Sequence, residues 1–574
     1  MNSIEICEYE DKYASSLAEM WNKSSENWGG YDHIITTETI INEHKNSDHI
    51  NTYLAIDKSN ETVVGYCGLS EYKNDEGALY IPLLNVRPDY QGKKIGKQLV
   101  LKTVERTIEL DWPRLDLYTW AGNTKAVPLY KKCGFFWEKR DDTVHLMNFI
   151  PTVLQSELLA EYFAKIDWYK DSEREIAIEP DGHKENDFNY YKYVWNLNKG
   201  KLKVVFERLG RGIRKIETPD FLIESEIDDY KLAYGNNYKI RYKVVNKSDN
   251  ELNIKISGKK HKNIDFAYMK KDQVDDKKVF EGNFYLNEIK NKYSEDQTHP
   301  AVRADIEING KKVEFKQGIK TEFPADLKLN VPLGRKYEKT NNKLYLEIKN
   351  NYQKQANFKF TLPSTDDLIF SKNEFDVKLN SGEKRSIVVD YYLLRSCVYS
   401  KEIDIKAFVK GADEVTEKNF SARVTALFKG SKRKFGGELN KGWILANGPH
   451  TVMLEKKNNQ LKYLDYDGES KESFFIHPRL GKPFSHEFSK KEADKVEFYE
   501  SEDAYCMRAI YISNEYPDIH LISVIKLMDD GMLENYYEIY NLGEEKFSDM
   551  VLSHSFFYKL SNTYLPYQNK VVKN

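Results

Sequence analysis

From about Asp187 to the end of the chain, polar residues alternate with β-branched and aromatic ones in run after run, and no helical pattern separates the runs. YKYVWNL, KLKVVFERL, YKIRYKVVN, KLYLEIKN and RSIVVDYYLL are representative, with Asn, Gly, Asp and Lys clusters between them. Parallel strands need a crossover of about a dozen residues or more, usually a helix, so this pattern restricts the region to antiparallel sheets. Its spacing suits sandwiches. The first 150 residues read differently, because helical and strand patterns alternate there as in an α/β unit. Helices are predicted over residues 11–23 and, after Thr37, over residues 39–45. Strands follow in TYLAID, TVVGYCGLSEY and GALYIPLLNV, then a helix that opens near Ile95 and ends before Pro113, then a strand in LDLYTW. The expected fold class is therefore a multidomain chain, an α/β domain followed by antiparallel β-sandwich domains.

At 574 residues the chain is too long for one core, and about one domain per ~150 residues predicts roughly four. The composition and turn signals divide it into an α/β domain (1–150), a linker helix and β segment (151–229), sandwiches at 230–327 and 328–430, and a β-rich domain at 431–574. VLQSELLAEYFAKIDWY reads as one amphipathic linker helix. TEFPADLKLNVPLG, with Pro324 and Pro332, and FKGSKRKFGGELNKG read as joints. The closing FFYKLSNTYLPYQNKVVKN has no evident finishing element, so the last domain is expected either to be incomplete or to borrow strands from residues 201–226.

Charged residues make up 31% of the chain but nearly cancel at a net −3, which argues against a nucleic-acid partner. No run approaches the ~20 apolar residues of a membrane span, and MNSIEICEYEDKY lacks the order of a signal peptide, so a cytoplasmic protein with no membrane partner is expected. The five cysteines, Cys7, Cys67, Cys133, Cys397 and Cys506, lie far apart and form no C-x-x-C pair. They read as isolated buried thiols, and no metal is predicted.

The most informative stretch is QGKKIGKQLV, residues 91–100, set between a strand and a helix. A helix N-terminus leaves unpaired N–H groups and a partial positive charge, so an anion placed there is stabilised. Gly92 and Gly96 let the backbone approach phosphate oxygens, and Lys93, Lys94 and Lys97 add charge. Taken alone, the same turn also reads as an ordinary solvated connection.

The surrounding LLNVRPDYQGKKIGKQL resembles the signature of the GNAT superfamily of N-acetyltransferases: Val86, Pro88 and Tyr90 match the strand end, and Gln91, Gly92, Ile95 and Gly96 follow. Lys94 departs from the pattern, standing where the family usually has its first motif glycine. Downstream, NTKAVPLYKKCGF is similar to the second family element at Asn123, Ala126, Leu129, Tyr130, Gly134 and Phe135. Pro128 fits a helix only in its first turn, which places the helix start near Lys125.

The resemblance implies that acetyl-CoA is the co-substrate and that its pantetheine arm lies as an added strand in a V-shaped opening between LYIPLLNV and LDLYTW. Leu84, Asn85 and Val86 would then pair through their backbone with the pantetheine amides, on a strand bulged by Pro82. Tyr130 matches the tyrosine that protonates the departing thiolate; as a bare residue it reads equally as a core aromatic. Asn123 would lie near the pantetheine or cap the following helix. Glu71 and Asp116 are the carboxylates considered for the base, each also readable as a solvated strand-end charge. The acceptor, a small-molecule or protein primary amine, would be met by the first two helices and the connector SSENWGGYDHIITTE, with Trp28, Tyr31 and His33.

In the β-rich half, residues 230–430 resemble immunoglobulin-type modules, and the last segment resembles galactose-mutarotase-type sandwiches that handle sugars. His450, His477 and His486 are the site candidates of that segment, with a carbohydrate as the partner. Two functions are thus carried forward: an N-acetyltransferase whose β modules bind substrate or partner, or a non-catalytic CoA-sensing or scaffold domain on a carbohydrate-binding or carbohydrate-active β-sandwich protein.

Overall fold

The computed structural model describes residues 4–25, 34–73, 75–139, 144–289, 293–294, 297–332, 337–411, 414–430, 433–464, 470–480, 487–544, 550–557, 564–567 and 570–573. The chain forms two compact units, Met1–Phe323 and Pro324–Asn574.

The first unit opens with a mixed sheet of eight strands: β1 (Ile4–Glu8), β2 (His49–Asp57), β3 (Thr62–Glu71), β4 (Leu79–Ile81), β5 (Leu84–Val86), β6 (Leu115–Thr119), β7 (Phe135–Glu138) and β8 (Val144–Asn148). Their order is β1-β2-β3-β4-β6-β8-β7, with β5 paired to β3 off this path. Helices α1 (Ala14–Lys23) and α2 (Thr37–Lys45) cover one face, where Leu17, Trp21 and Ile40 pack with Leu54 and Ile56. Thr36 caps α2 by accepting the Thr39 N–H at 3.1 Å. Helix α3 (Ile95–Glu109) buries Ile95, Leu99 and Val104 against the other face. A Cβ at Gly65 of β3 would sit 3.0 Å from both Ile95 and Leu99, so the missing side chain lets the helix lie close to the sheet. Helix α4 (Ala126–Lys132) follows β6 and carries Pro128 at its third position, where no intrahelical N–H bond is due.

The expected single linker helix is two helices, α5 (Ile150–Leu154) and α6 (Glu157–Phe163). Between them Ser156 takes an extended backbone, a conformation that serine favours at a helix start. The apolar periodicity runs on through this break, which is why it is invisible in the sequence.

The rest of the first unit is β. Phe188–Asn196, Lys201–Glu207, Gly212–Glu217, Phe221–Glu226, Asn236–Asn246 and Lys277–Leu286 are neighbours in one antiparallel sheet. Leu252–Lys259, Met269–Val274, Ala301–Ile308 and Lys311–Gly318 form another. Two expectations change here. Phe221–Glu226 pairs with Asn236–Asn246 from Phe221↔Asn246 to Glu226↔Arg241, so one sheet runs across the boundary drawn between 229 and 230. Residues 201–226 are thereby strands of this sheet of the first unit. Cross-strand pairing, which the sequence does not specify at this range, decides both points.

In the second unit, Ala325–Asn330, Thr340–Asn350, Lys384–Leu393 and Leu368–Phe370 form one sheet; Glu374–Leu379, Ala356–Thr361, Cys397–Lys410 and Val415–Phe428 form another. Tyr391 meets Phe428, and Phe370 meets Tyr399, edge to face between the two sheets. The proline-bearing stretch read as a joint is largely the strand Ala325–Asn330, and the two units part at Phe323/Pro324. Further on, Trp443, Leu454, Met507, Tyr511 and Leu521 share a core built from two more antiparallel sheets. Among the described residues, no helix is long and apolar enough to cross a membrane.

Candidate active site at the parted strands

Strand β4 runs parallel to β6 through the pairs Leu79↔Leu115, Tyr80↔Asp116 and Ile81↔Leu117. After Pro82 the chain leaves β6, and β5 pairs with β3 alone through Cys67↔Leu84, Tyr66↔Asn85 and Gly65↔Val86. Gly68 donates its N–H to Leu83 O at 3.2 Å and Arg87 donates to Val64 O at 3.0 Å. Backbone groups alternate in direction along an antiparallel strand, so Leu83, Asn85 and Arg87 point toward β3, and the N–H and C=O of Leu84 and Val86 point toward the gap. Proline at the break and an unpaired edge beyond it are the features that a bulged strand supplies. The Asn85 side chain points elsewhere, donating to Ser24 Oγ at 2.6 Å beneath α1.

At the corner that follows, Gly92 adopts φ +82° with no atom within 4 Å of where a Cβ would be. Lys94 is left-handed at φ 64° and stands immediately before α3. This explains the family's glycine there, since a left-handed residue other than glycine costs roughly 1–2 kcal/mol. Lys93 lies 4.0 Å over the Tyr90 ring, and Tyr90 donates to Asp57 Oδ2 at 2.8 Å, anchoring the corner to β2. Among the described residues, Lys93, Lys94 and Lys97 pair with no carboxylate. Gln91, Lys93 and Lys94 are exposed, whereas Ile95 is a core residue. A Cβ on Gly96 would meet Leu129 of α4 at 3.3 Å and Val86 of β5 at 3.6 Å, so this glycine lets the first turn of α3 lie close to α4 and to the free strand edge.

Tyr130 sits on α4 with only 7% of its surface exposed, its ring edge-on to Phe135. Burial pushes its phenol well above the ordinary tyrosine range, reinforced by Cys67, Cys133 and Tyr80 nearby, so it holds its proton. Asn123 accepts the Ala126 N–H at 3.1 Å and donates to Thr119 Oγ1 at 3.2 Å, which fixes the turn leading from β6 into α4.

On the opposite face of the sheet a cavity of about 360 Å³ is walled by α1, α2 and the Pro82–Leu83 break, with Trp21, Glu43, His44, His49 and Tyr66 among its residues. His49 opens β2; its Nδ1 lies 3.1 Å from Thr52 Oγ1 and 3.4 Å from the Tyr66 hydroxyl. A Cβ on Gly68 would meet His49 Cε1 at 3.0 Å, Pro82 Cγ at 3.1 Å and His49 Nε2 at 3.2 Å, so the glycine makes room for the imidazole against the break. Burial lowers the His49 pKa, favouring the neutral ring. Sequence reasoning missed His49. Its signal was a histidine opening a strand, but only the β2–β3 register sets it over a glycine.

The carboxylates considered earlier lie elsewhere. Glu71 is exposed and lines a different cleft, with Tyr72, Lys262 and Thr298. Asp116 is neither a solvated strand end nor a cleft residue: it is fully buried, with 0% of its surface exposed. It accepts from Arg114 Nε at 2.8 Å and faces His145 Nε2 at 2.9 Å. Arg114 Nη2 donates to Asp75 at 2.7 Å, His145 Nδ1 lies 2.7 Å from Glu138, Arg208 donates to Glu138 at 2.8 Å, and Arg211 is 3.0 Å from Asp75. Burial alone would raise Asp116, but Arg114, His145 and Arg211 outweigh it and hold the carboxyl below the usual aspartate range.

Trp28, Tyr31 and His33 lie outside the described residues, as does His486. His477 falls in the strand Ser470–Leu480, opposite Ser553, and His450 is hydrogen-bonded to Tyr463.

The fold is thus an α/β domain whose mixed sheet is split between a parallel pair, beside a glycine-bearing corner that opens a helix. The sequence profile of the Acetyltransferase (GNAT) family matches residues 15–135, and this N-terminal segment is a GNAT acetyltransferase domain. The putative ribosomal protein bS18-alanine N-acetyltransferase of Bacillus subtilis (strain 168) is 35% identical over 82 residues, 14% of this chain and 52% of that protein. The chain thus spans about half the length of the curated relative it matches. Similar solved structures include the ribosomal-protein-S5-alanine acetyltransferase from Vibrio fischeri, at 15% identity over 26% of this chain and 94% of that one, with a TM-score of 0.23. Another is the PaiA N-acetyltransferase from Thermoplasma acidophilum in complex with coenzyme A, at 22% identity over 25% and 98%, with a TM-score of 0.22.

Proposed function

We propose that the N-terminal domain transfers an acetyl group from acetyl-CoA to a primary amine. The observation that carries this reading is the free edge of β5: the amide groups of Leu84 and Val86 face a gap that leads to the open corner at Gly92 and Gly96. An extended chain of amides ending in a diphosphate matches that sequence of partners, through strand addition along β5 and anion binding at the N-terminus of α3. Bound there, acetyl-CoA would supply an activated acetyl thioester.

The chain's own groups then divide the proton chemistry between the two faces of the sheet. On the α2 face, His49 Nε2 takes the proton of an ammonium group entering the cavity beside Pro82, and the freed amine becomes a nucleophile. Thr52 and Tyr66 hold Nδ1 and so fix the ring. As the amine forms its bond to the acetyl carbon and the carbon–sulfur bond breaks, Tyr130 on the α4 face donates its proton to the leaving sulfur, and the proton that the nitrogen loses on becoming an amide restores the phenol. The aromatic and apolar walls exclude water from the amine, while Glu43 and His44 give the cavity its polar rim.

The test is thiol release by the full chain with acetyl-CoA and a panel of primary amines. His49→Gln should lower kcat about 100-fold with acetyl-CoA affinity kept, within the usual range for a lost general base. In the wild-type protein the acid limb of kcat/KM should fall below the ordinary histidine value, because a lowered pKa keeps the base neutral to lower pH; the variant should lose that limb. Failure of acetyl-CoA to bind the full chain would overturn the reading.

A further inference from the structure

The first turn of α3 is met by a piece of chain that lies outside the family-matched segment. Lys97 places its ammonium 5.0 Å from the Tyr169 ring centroid, and the Arg174 guanidinium lies 5.0 Å from the same centroid. Two cations on one ring repel each other, and among the described residues neither is paired with a carboxylate. Asp167, near Arg174, is occupied by Lys170 at 2.8 Å and by the N–H groups of Tyr169 and Lys170. An anion beside the ring would relieve the repulsion.

The loop that presents Tyr169 is built in advance. Trp168 O accepts from Trp195 Nε1 at 2.8 Å and from Arg174 Nη2 at 3.1 Å, which ties the loop to the strand Phe188–Asn196. Asp171 N–H donates to Asp167 O at 3.0 Å and Asn196 N–H to Asp171 O at 3.0 Å. Arg174 also donates to Lys132 O at the end of α4. Little further ordering is needed for the loop to bind, so its contacts go to affinity.

We infer that this loop and Lys97 form the subsite for the 3′-phosphate on the adenosine end of coenzyme A. The inference rests on the proposed coenzyme reading and extends it. A diphosphate at Gly92 and Gly96 leaves the adenosine to emerge beside the first turn of α3, where Lys97 and the Tyr169 loop stand. The ligand chemistry is a phosphate monoester next to an aromatic base, which a cation pair around a tyrosine ring suits. The β-rich part of the first unit thereby has a direct role in coenzyme selection.

Calorimetric titration of the full chain with coenzyme A and with 3′-dephospho-coenzyme A tests this. The wild-type protein should bind coenzyme A about tenfold more tightly, a gap that narrows with salt as a charge contact requires. In Lys97→Gln the two ligands should bind within about twofold of each other, and Tyr169→Leu should narrow the gap less, since it removes only the ring that holds the cations in place. Arg174 also bonds two carbonyls, so Arg174→Gln is read alongside its melting temperature. Equal affinity of the wild-type protein for the two ligands overturns the subsite and leaves the acetyltransferase reading standing; binding of neither overturns both.

Discussion

Two charge-rich corners of the first unit lie at opposite extremes. Around Asp116, three carboxylates (Asp75, Asp116, Glu138) and three arginines (Arg114, Arg208, Arg211) are paired, with His145 between two of the acids. Around α3's first turn, Lys93, Lys94 and Lys97 are unpaired among the described residues and sit beside a bare backbone corner. Charges removed from water must find partners within the protein, whereas charges left at an open edge are available to a ligand. The closed corner joins the sheet of β1–β8 to the strands after residue 188; the open one is where the coenzyme is proposed to bind.

Breaking the closed corner should have the largest effect. Arg211→Met leaves Asp75 and Glu138 short of a cation and should cost about 3–5 kcal/mol of unfolding free energy, measured by denaturant titration of the full chain. Asp75→Asn added to that variant should recover part of the loss. For the same reason a fragment ending at residue 150 should fail to fold cooperatively by calorimetry, because Asp75, Asp116 and Glu138 would lose Arg208 and Arg211. Acid acts in the same direction. Burial would raise Asp75, yet Arg114, Arg211 and Thr298 hold it below the usual aspartate range, as their counterparts hold Asp116. Folded-state values below the unfolded ones add stability that is present above the ordinary aspartate pKa and lost as pH falls through the lowered values.

The open corner should respond in binding rather than folding. Gly96→Val pushes a side chain toward Leu129 and Val86 and should weaken coenzyme A affinity about 10- to 100-fold by titration calorimetry, with a much smaller change in melting temperature. Similar losses in affinity and stability would mean that the glycine serves packing alone. The smallest effect is expected at Asn123→Ala, which removes the hydrogen bond from the Ala126 N–H and should cost about 1 kcal/mol of stability while altering coenzyme affinity little.

Local features were legible wherever chemistry and backbone conformation coincide along the chain. Gly92 and Pro128 each announce a backbone requirement, and the structure shows Gly92 at φ +82° and Pro128 in the first turn of α4. Asp116 misled because its residue type suggests solvent, and its partners Arg114, His145 and Arg211 come together only through the sheet and the strands packed on it. His49 escaped notice for a related reason: Gly68, which gives it room, lies on another strand, and Pro82 lies in the break between β4 and β5.

The sequence by itself determined that an α/β domain with a glycine- and lysine-bearing strand-to-helix turn precedes a long, largely antiparallel β region, because turn chemistry and hydrophobic period act over a few residues. Tertiary structure alone decided that strands up to residue 226 join those after 236, that a buried ion network links them to the N-terminal sheet, and that Tyr169 reaches Lys97. Those contacts depend on register between distant segments, and a one-residue slip would turn the alternating side chains of a strand to the opposite face.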